Sequence, residues 1–126
     1  MADRSALVPV EWMGSSLRDL RAFPEDVQDE VGYALYLAQL GGHARSAKRL
    51  GGTLSGLVEF VDDFDGDTYR AVYTMKLKGA VYVLHVFQKK STRGVSTPRH
   101  HVDLIRERLT RAREHHAVHY AAQERL

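Results

Sequence analysis

The sequence predicts an α+β fold: two N-terminal helices packed on an antiparallel β-sheet, followed by a C-terminal helix. Three observations predict it. Val27, Val31, Ala34, Leu35 and Ala38 recur at helical spacing, Leu57–Gln88 changes to a period of two, and Val102, Ile105, Leu109 and Ala112 return to helical spacing. At 126 residues, with 44% hydrophobic and 27% charged side chains, the chain reads as one globular domain over 1–126.

The elements follow in order. Leu7–Met13 alternates weakly and reads as an opening edge strand, the one place in a sheet that tolerates Pro9. Ser16-Leu-Arg-Asp19 has capping-box spacing and starts a short helix to about Arg21. Pro24 suits the first turn of a second helix, Glu25 and Asp26 favour its positive dipole end, and Gly41-Gly42 stops it. The Gly-rich link His43–Gly56 reads as a loop. Leu57–Asp62, Thr68–Leu77 and Ala80–Gln88 read as strands, joined by turns at Asp65-Gly66-Asp67 and Lys78-Gly79. After a polar loop at Ser91–Ser96, Thr97 caps a last helix with Pro98 in its first position, running to about His119.

Composition excludes several chemistries. With no cysteine there are no disulfides and no thiolate ligands or nucleophiles, which fits a reducing compartment. No apolar run approaches the roughly 18 residues of a membrane span, and Met-Ala-Asp-Arg lacks a signal-peptide pattern. A cytoplasmic protein without membrane partners is expected. Charge is unevenly placed: residues 1–63 carry six Lys/Arg against ten Asp/Glu, and residues 64–126 carry twelve against six. Clustered cations gain binding free energy by releasing the counterions of a polyanion, so the second half points to such a partner. A solvated face that maintains solubility is the other reading.

The hairpin register carries the functional argument. With Lys78-Gly79 as a two-residue turn, Tyr69, Ala71, Tyr73, Met75, Leu77, Ala80, Tyr82, Leu84 and Val86 share an apolar face. The opposite, open face then groups Arg70 across from Phe87, with His85 and Lys89 to either side. These residue types suit cleavage of a phosphodiester by RNA's own 2′-OH. That reaction needs no protein nucleophile, only an in-line hydroxyl, proton transfer and fixed positive charge. Histidine transfers protons near neutral pH, and arginine grips non-bridging oxygens bidentately.

The run Asp67-Thr-Tyr-Arg-Ala-Val-Tyr73, then Val81-Tyr-Val-Leu-His-Val-Phe-Gln-Lys-Lys-Ser91, then Thr97-Pro98, resembles the HigB-like, phage-derived branch of the RelE/ParE toxin superfamily. Ser15–Pro24 and Lys48-Arg-Leu-Gly with Val58-Glu-Phe fit the same branch. The resemblance implies a RelE-like fold and the toxin of a type II toxin–antitoxin pair, acting as a ribosome-dependent mRNA endonuclease without metal or other cofactor. It implies two partners: the translated mRNA on the ribosome, and a cognate antitoxin of the helix-turn-helix, HigA-like kind. Residue by residue, Arg70 matches the family's strand arginine, Lys89, Lys90 and Ser91 its basic strand end, and His85 the histidine of the branch's motif. HigB-type toxins use histidines from their C-terminal part, which makes His101 or its neighbour His100 a further candidate. The catalytic candidates are thus Arg70, His85, Lys89 and His101, and the RNA-binding candidates are Lys48, Lys76, Lys90, Ser91, Arg93 and His100. This chain has Glu59 where RelE carries lysines before the Tyr-Arg element, and only Tyr120 stands near the place of RelE's C-terminal tyrosine.

His115 and His119 are four apart, but no His-Glu-x-x-His pattern accompanies them, so no metal site is expected. Phe87 either stacks a base or packs under the last helix. A ParE-like toxin that inhibits DNA gyrase by protein binding, or an inactive toxin homologue, are the alternatives.

Overall fold

The computed structural model describes residues 7–75, 77–89 and 97–120. The elements are β1 (Val10–Trp12), α1 (Ser16–Arg21), α2 (Glu25–Gln39), β2 (Ala47–Arg49), β3 (Leu57–Phe64), β4 (Asp67–Thr74), β5 (Val81–Lys89) and α3 (Arg99–His119). Five strands form one sheet in the order β1-β5-β4-β3-β2. The expected α+β class holds, with two refinements. β1 pairs parallel to β5, so the sheet is mixed, and the link expected to be a loop contains the edge strand β2, antiparallel to β3.

Local chemistry explains most boundaries. The β3–β4 turn places Asp65 and Gly66 at φ 51° and 81°. Positive φ at both central positions is what a tight two-residue hairpin turn requires, and Asp-Gly supplies it cheaply. Both longer helices start one residue after a proline: Pro24 and Pro98 are extended cap residues at ψ 145° and 143°, not the first helical residues. The expected capping box at Ser16–Asp19 is not formed: Ser15 occupies the cap position without a side-chain bond to the helix backbone, its hydroxyl donates to Asp19 Oδ2 at 2.7 Å, and Ser16 is the first helical residue. Gly42 N–H closes α2 on Leu37 O at 2.9 Å.

Two apolar layers cover the sheet. Val58, Phe60, Tyr69, Ala71, Tyr73, Val81, Val83 and Val86 pack on α1 and α2 through Leu20, Val27, Val31, Ala34, Leu35 and Ala38. Leu57, Val72, Ala80, Tyr82, Leu84 and Phe87 pack on α3 through Ile105, Leu109 and Ala112. Each large apolar side chain removed from water in this way contributes about 2 kcal/mol.

This distribution corrects the expected faces of β5. Ala80, Tyr82 and Leu84 point to α3, and Val81 and Val83 point to α1 and α2. The reason is a β-bulge: Arg70 pairs with Phe87 and Val72 with His85, but Tyr73 pairs with Val83, which leaves Leu84 extra. Both Leu84 and His85 therefore lean toward α3. The connection after β4 is also longer than the expected two-residue turn, because β4 ends at Thr74 and β5 begins at Val81. The slip falls beyond the functional grouping, so the pairs around Arg70 keep the expected register. The face is not open, however, since α3 lies across it.

Candidate functional site

Strand alternation aligns side chains in rows across the α3 side of the sheet. Lys48 of β2 pairs with Glu59 of β3, Glu59 with Val72 of β4, and Val72 with His85 of β5. The next rows bring Val61, Arg70 and Phe87 into line, then Asp63, Thr68 and Lys89. Arg70 and Glu59 sit on adjacent strands and form an ion pair, Arg70 Nη1 to Glu59 Oε1 at 2.5 Å, both largely shielded from solvent. Arg70 Nε is buried with no hydrogen-bond partner among the described residues. The arginine is thus held by a single carboxylate contact, with donor capacity left over.

The N-terminal turn of α3 completes the site. His101 lies inward and its Nδ1 is 2.8 Å from Nε2 of His85. The Phe87 ring stacks on both imidazoles, with centroids 4.2 Å from His101 and 4.8 Å from His85. His100 is exposed beside His101, their rings 4.0 Å apart. Phe87 therefore packs under the last helix, one of its two expected roles. On the far side, Arg108 reaches down from α3. Its Nη1 donates to Leu84 O at 3.0 Å and approaches His85 Nδ1 at 3.4 Å, while Nη2 donates to Ser15 Oγ at 3.1 Å.

His85 is only 6% exposed. Burial, then the neighbouring His101 and Arg108, push its pKa down to about 4, with Asp19 opposing them. Burial and His100 also hold His101 below the usual histidine range. Both imidazoles are accordingly neutral near pH 7. The linkage has a definite sign. His85 favours its neutral form when folded, so native stability is full above about pH 6.5 and falls as pH drops toward about 4. After allowance for solvent screening, His85 should cost on the order of 1–2 kcal/mol at pH 4.5 relative to pH 7.5. Urea melts at the two pH values, compared with His85→Gln, measure this; parallel pH curves for the two proteins would refute it.

The structure therefore gathers Lys48, Arg70, His85, Lys89 and His101 on one side of the sheet, with His100 at its rim. Lys76, Lys90, Ser91 and Arg93 lie outside the described residues. Two members were not assigned a role from sequence. Glu59 stood out only as an acidic residue where RelE carries lysines. Arg108 was one cation in a basic tally, although it follows His101 and Ile105 at i+7 and i+3 on the inward stripe of α3.

At the other end of α3, Tyr82 and His115 share a hydrogen bond of 2.6 Å, Tyr120 donates to Glu11 at 2.5 Å, and His116 contacts Lys78 O at 2.6 Å. These contacts seat the helix on β1 and on the connection before β5, and they occupy two of the three C-terminal histidines. Among the described residues no group of three or more His, Asp or Glu side chains gathers as a metal site. No helix among them is long and apolar enough to cross a membrane.

A mixed five-stranded sheet with two N-terminal helices on one face and a C-terminal helix on the other is the RelE-like fold. The toxin RelE of E. coli, solved free as a double mutant, matches with a TM-score of 0.52 at 16% identity, covering 83% of this chain and 97% of that one. The RelBE2 toxin–antitoxin complex of Mycobacterium tuberculosis gives 0.48 at 21% identity, over 71% of this chain and 100% of that one. Residues 18–110 match the family described as phage derived protein Gp49-like (DUF891). The chain belongs to that Gp49-like, phage-derived family. No curated protein matches its sequence.

Proposed function

We propose that this protein is the toxin of a type II toxin–antitoxin pair, a metal-independent endoribonuclease that cuts mRNA on the ribosome. One observation carries the reading: a cationic sheet face on which a guanidinium, a carboxylate and a coupled imidazole pair stand side by side. The 2′-oxygen of RNA attacks the adjacent phosphorus, the bond to the 5′-oxygen breaks, and the upstream fragment keeps a cyclic phosphate. Arg70 grips the non-bridging oxygens of that phosphate, where charge accumulates. As the phosphate takes over the guanidinium, the Glu59 carboxylate is released to accept the 2′-OH proton. The N–H of neutral His101, with His85 behind it, hydrogen-bonds the departing 5′-oxygen and stabilises its charge, and that oxygen takes its proton from water while the proton of the 2′-OH stays on Glu59. Lys48, Lys89 and exposed His100 hold the strand; Lys76, Lys90, Ser91 and Arg93 are proposed as further RNA-binding residues from the sequence alone.

The cognate antitoxin, of the helix-turn-helix HigA-like kind, neutralises the toxin by covering this face. Induction without antitoxin, followed by primer extension on cellular mRNA, tests the reading. Codon-linked cuts are expected. Intact transcripts with DNA damage would instead indicate a gyrase inhibitor, and neither effect would indicate an inactive homologue.

The electrostatic part has its own measurement. If about five cations contact phosphates of single-stranded RNA, log Kd should change with log salt at a slope of magnitude near 3.5. A flat response would remove the phosphate-binding role from this face.

A further inference from the structure

A guanidinium carries only donors, so a ring nitrogen that faces one must offer its lone pair. Arg108 Nη1 is 3.4 Å from His85 Nδ1, a long contact but one whose direction chemistry fixes. The proton of neutral His85 then resides on Nε2. That atom is 2.8 Å from His101 Nδ1, which must in turn be the acceptor. The proton of His101 is left on Nε2, the ring nitrogen directed away from His85.

We propose that Arg108 is a positioning residue that sets both tautomers, so that His101 presents an N–H to RNA instead of a lone pair. This deepens the reading above, since it makes His101 a hydrogen-bond donor to the departing oxygen and leaves the proton-acceptor role to Glu59. Three features hold Arg108 in place. The bulge frees Leu84 O to accept from Nη1, and Ser15 Oγ, itself bonded to Asp19, accepts from Nη2. Gly14 provides the space: a Cβ there would lie 2.7 Å from Arg108 Nε, and its φ of +54° already disfavours other residues. The charged and titratable groups facing the pair are His100 and Arg108 on α3 and Asp19 on α1.

Imidazole nitrogen NMR of the intact wild-type protein at pH 7.5 tests the assignment without any activity. Both His85 and His101 should show a protonated Nε2 and an unprotonated Nδ1. A protonated Nδ1 on either ring would overturn the proposal, whether or not the protein cuts RNA. In Arg108→Met, each ring should become a tautomer mixture. Cleavage should fall about 10–100-fold, while the Kd for RNA changes less than twofold. Unchanged tautomers in a folded Arg108→Met protein would equally overturn it. If that variant does not fold, the wild-type spectrum still decides. Tautomers as proposed without any RNA cleavage would leave the positioning role standing and discard the nuclease reading.

Discussion

Arg70→Ala should lose about 100–1000-fold in RNA cleavage and no longer arrest growth. Removing a group that meets charge only as the transition state forms has an effect of this size. The substitution also leaves Glu59, whose side chain is 13% exposed, without its cation. A half-buried carboxylate stripped of its partner should lower stability by about 1–2 kcal/mol, so growth arrest alone does not separate chemistry from folding. Arg70→Lys does: it keeps a cation for Glu59 but loses the fork that grips two oxygens at once. Its melting temperature should stay close to wild type while cleavage still drops about 100-fold. Full toxicity of Arg70→Ala would remove this arginine from the site.

Phe87→Ala should be among the most damaging single truncations on this face. The ring is 5% exposed and packs with Leu84, Ile105 and Leu109 as well as against the two imidazoles. Emptying that volume should cost about 3–4 kcal/mol. The loss of a shared stacking surface should also let His85 and His101 move apart, so cleavage falls even where the fold survives. Phe87→Leu restores most of the volume without a flat face, and should recover stability more than activity. Urea unfolding of both variants, with single-turnover cleavage of a short RNA, supplies the comparison. A stability loss below about 1 kcal/mol for Phe87→Ala would mean that the ring is not packed as described.

The parts of this architecture that sequence made visible are those where one physical cause dominates. The stripe on α2 has a single buried face, so its period fixes both the helix and its orientation. Asp65-Gly66 admits essentially one turn, and from it β3 and β4 follow. The grouping of Arg70, Phe87, His85 and Lys89 was also legible, because these residues lie beyond the bulge. The bulge itself was not. Apart from His85, Val81–Phe87 is apolar on both faces since helices cover both, and such a strand gives no alternation to mark a slipped residue. β2 was missed because Ala47-Lys-Arg49 is a short edge strand with no pattern of its own. Parallel pairing of the three-residue β1 depends on contacts more than 60 residues away, which local periodicity does not encode. Arg108 had a signal, a cation on the inward stripe of α3, but a long side chain there often reaches back to solvent.

The parallel edge bears on when the proposed site can assemble. Val10–Trp12 has no neighbouring strand until Val81–Val83 exists, and His101 arrives later still. Pairings that span most of the chain form slowly. During synthesis the first strand waits for its sheet partner until Val83 has been made. The proposed site is therefore assembled only after the chain from β1 to the start of α3 has been made.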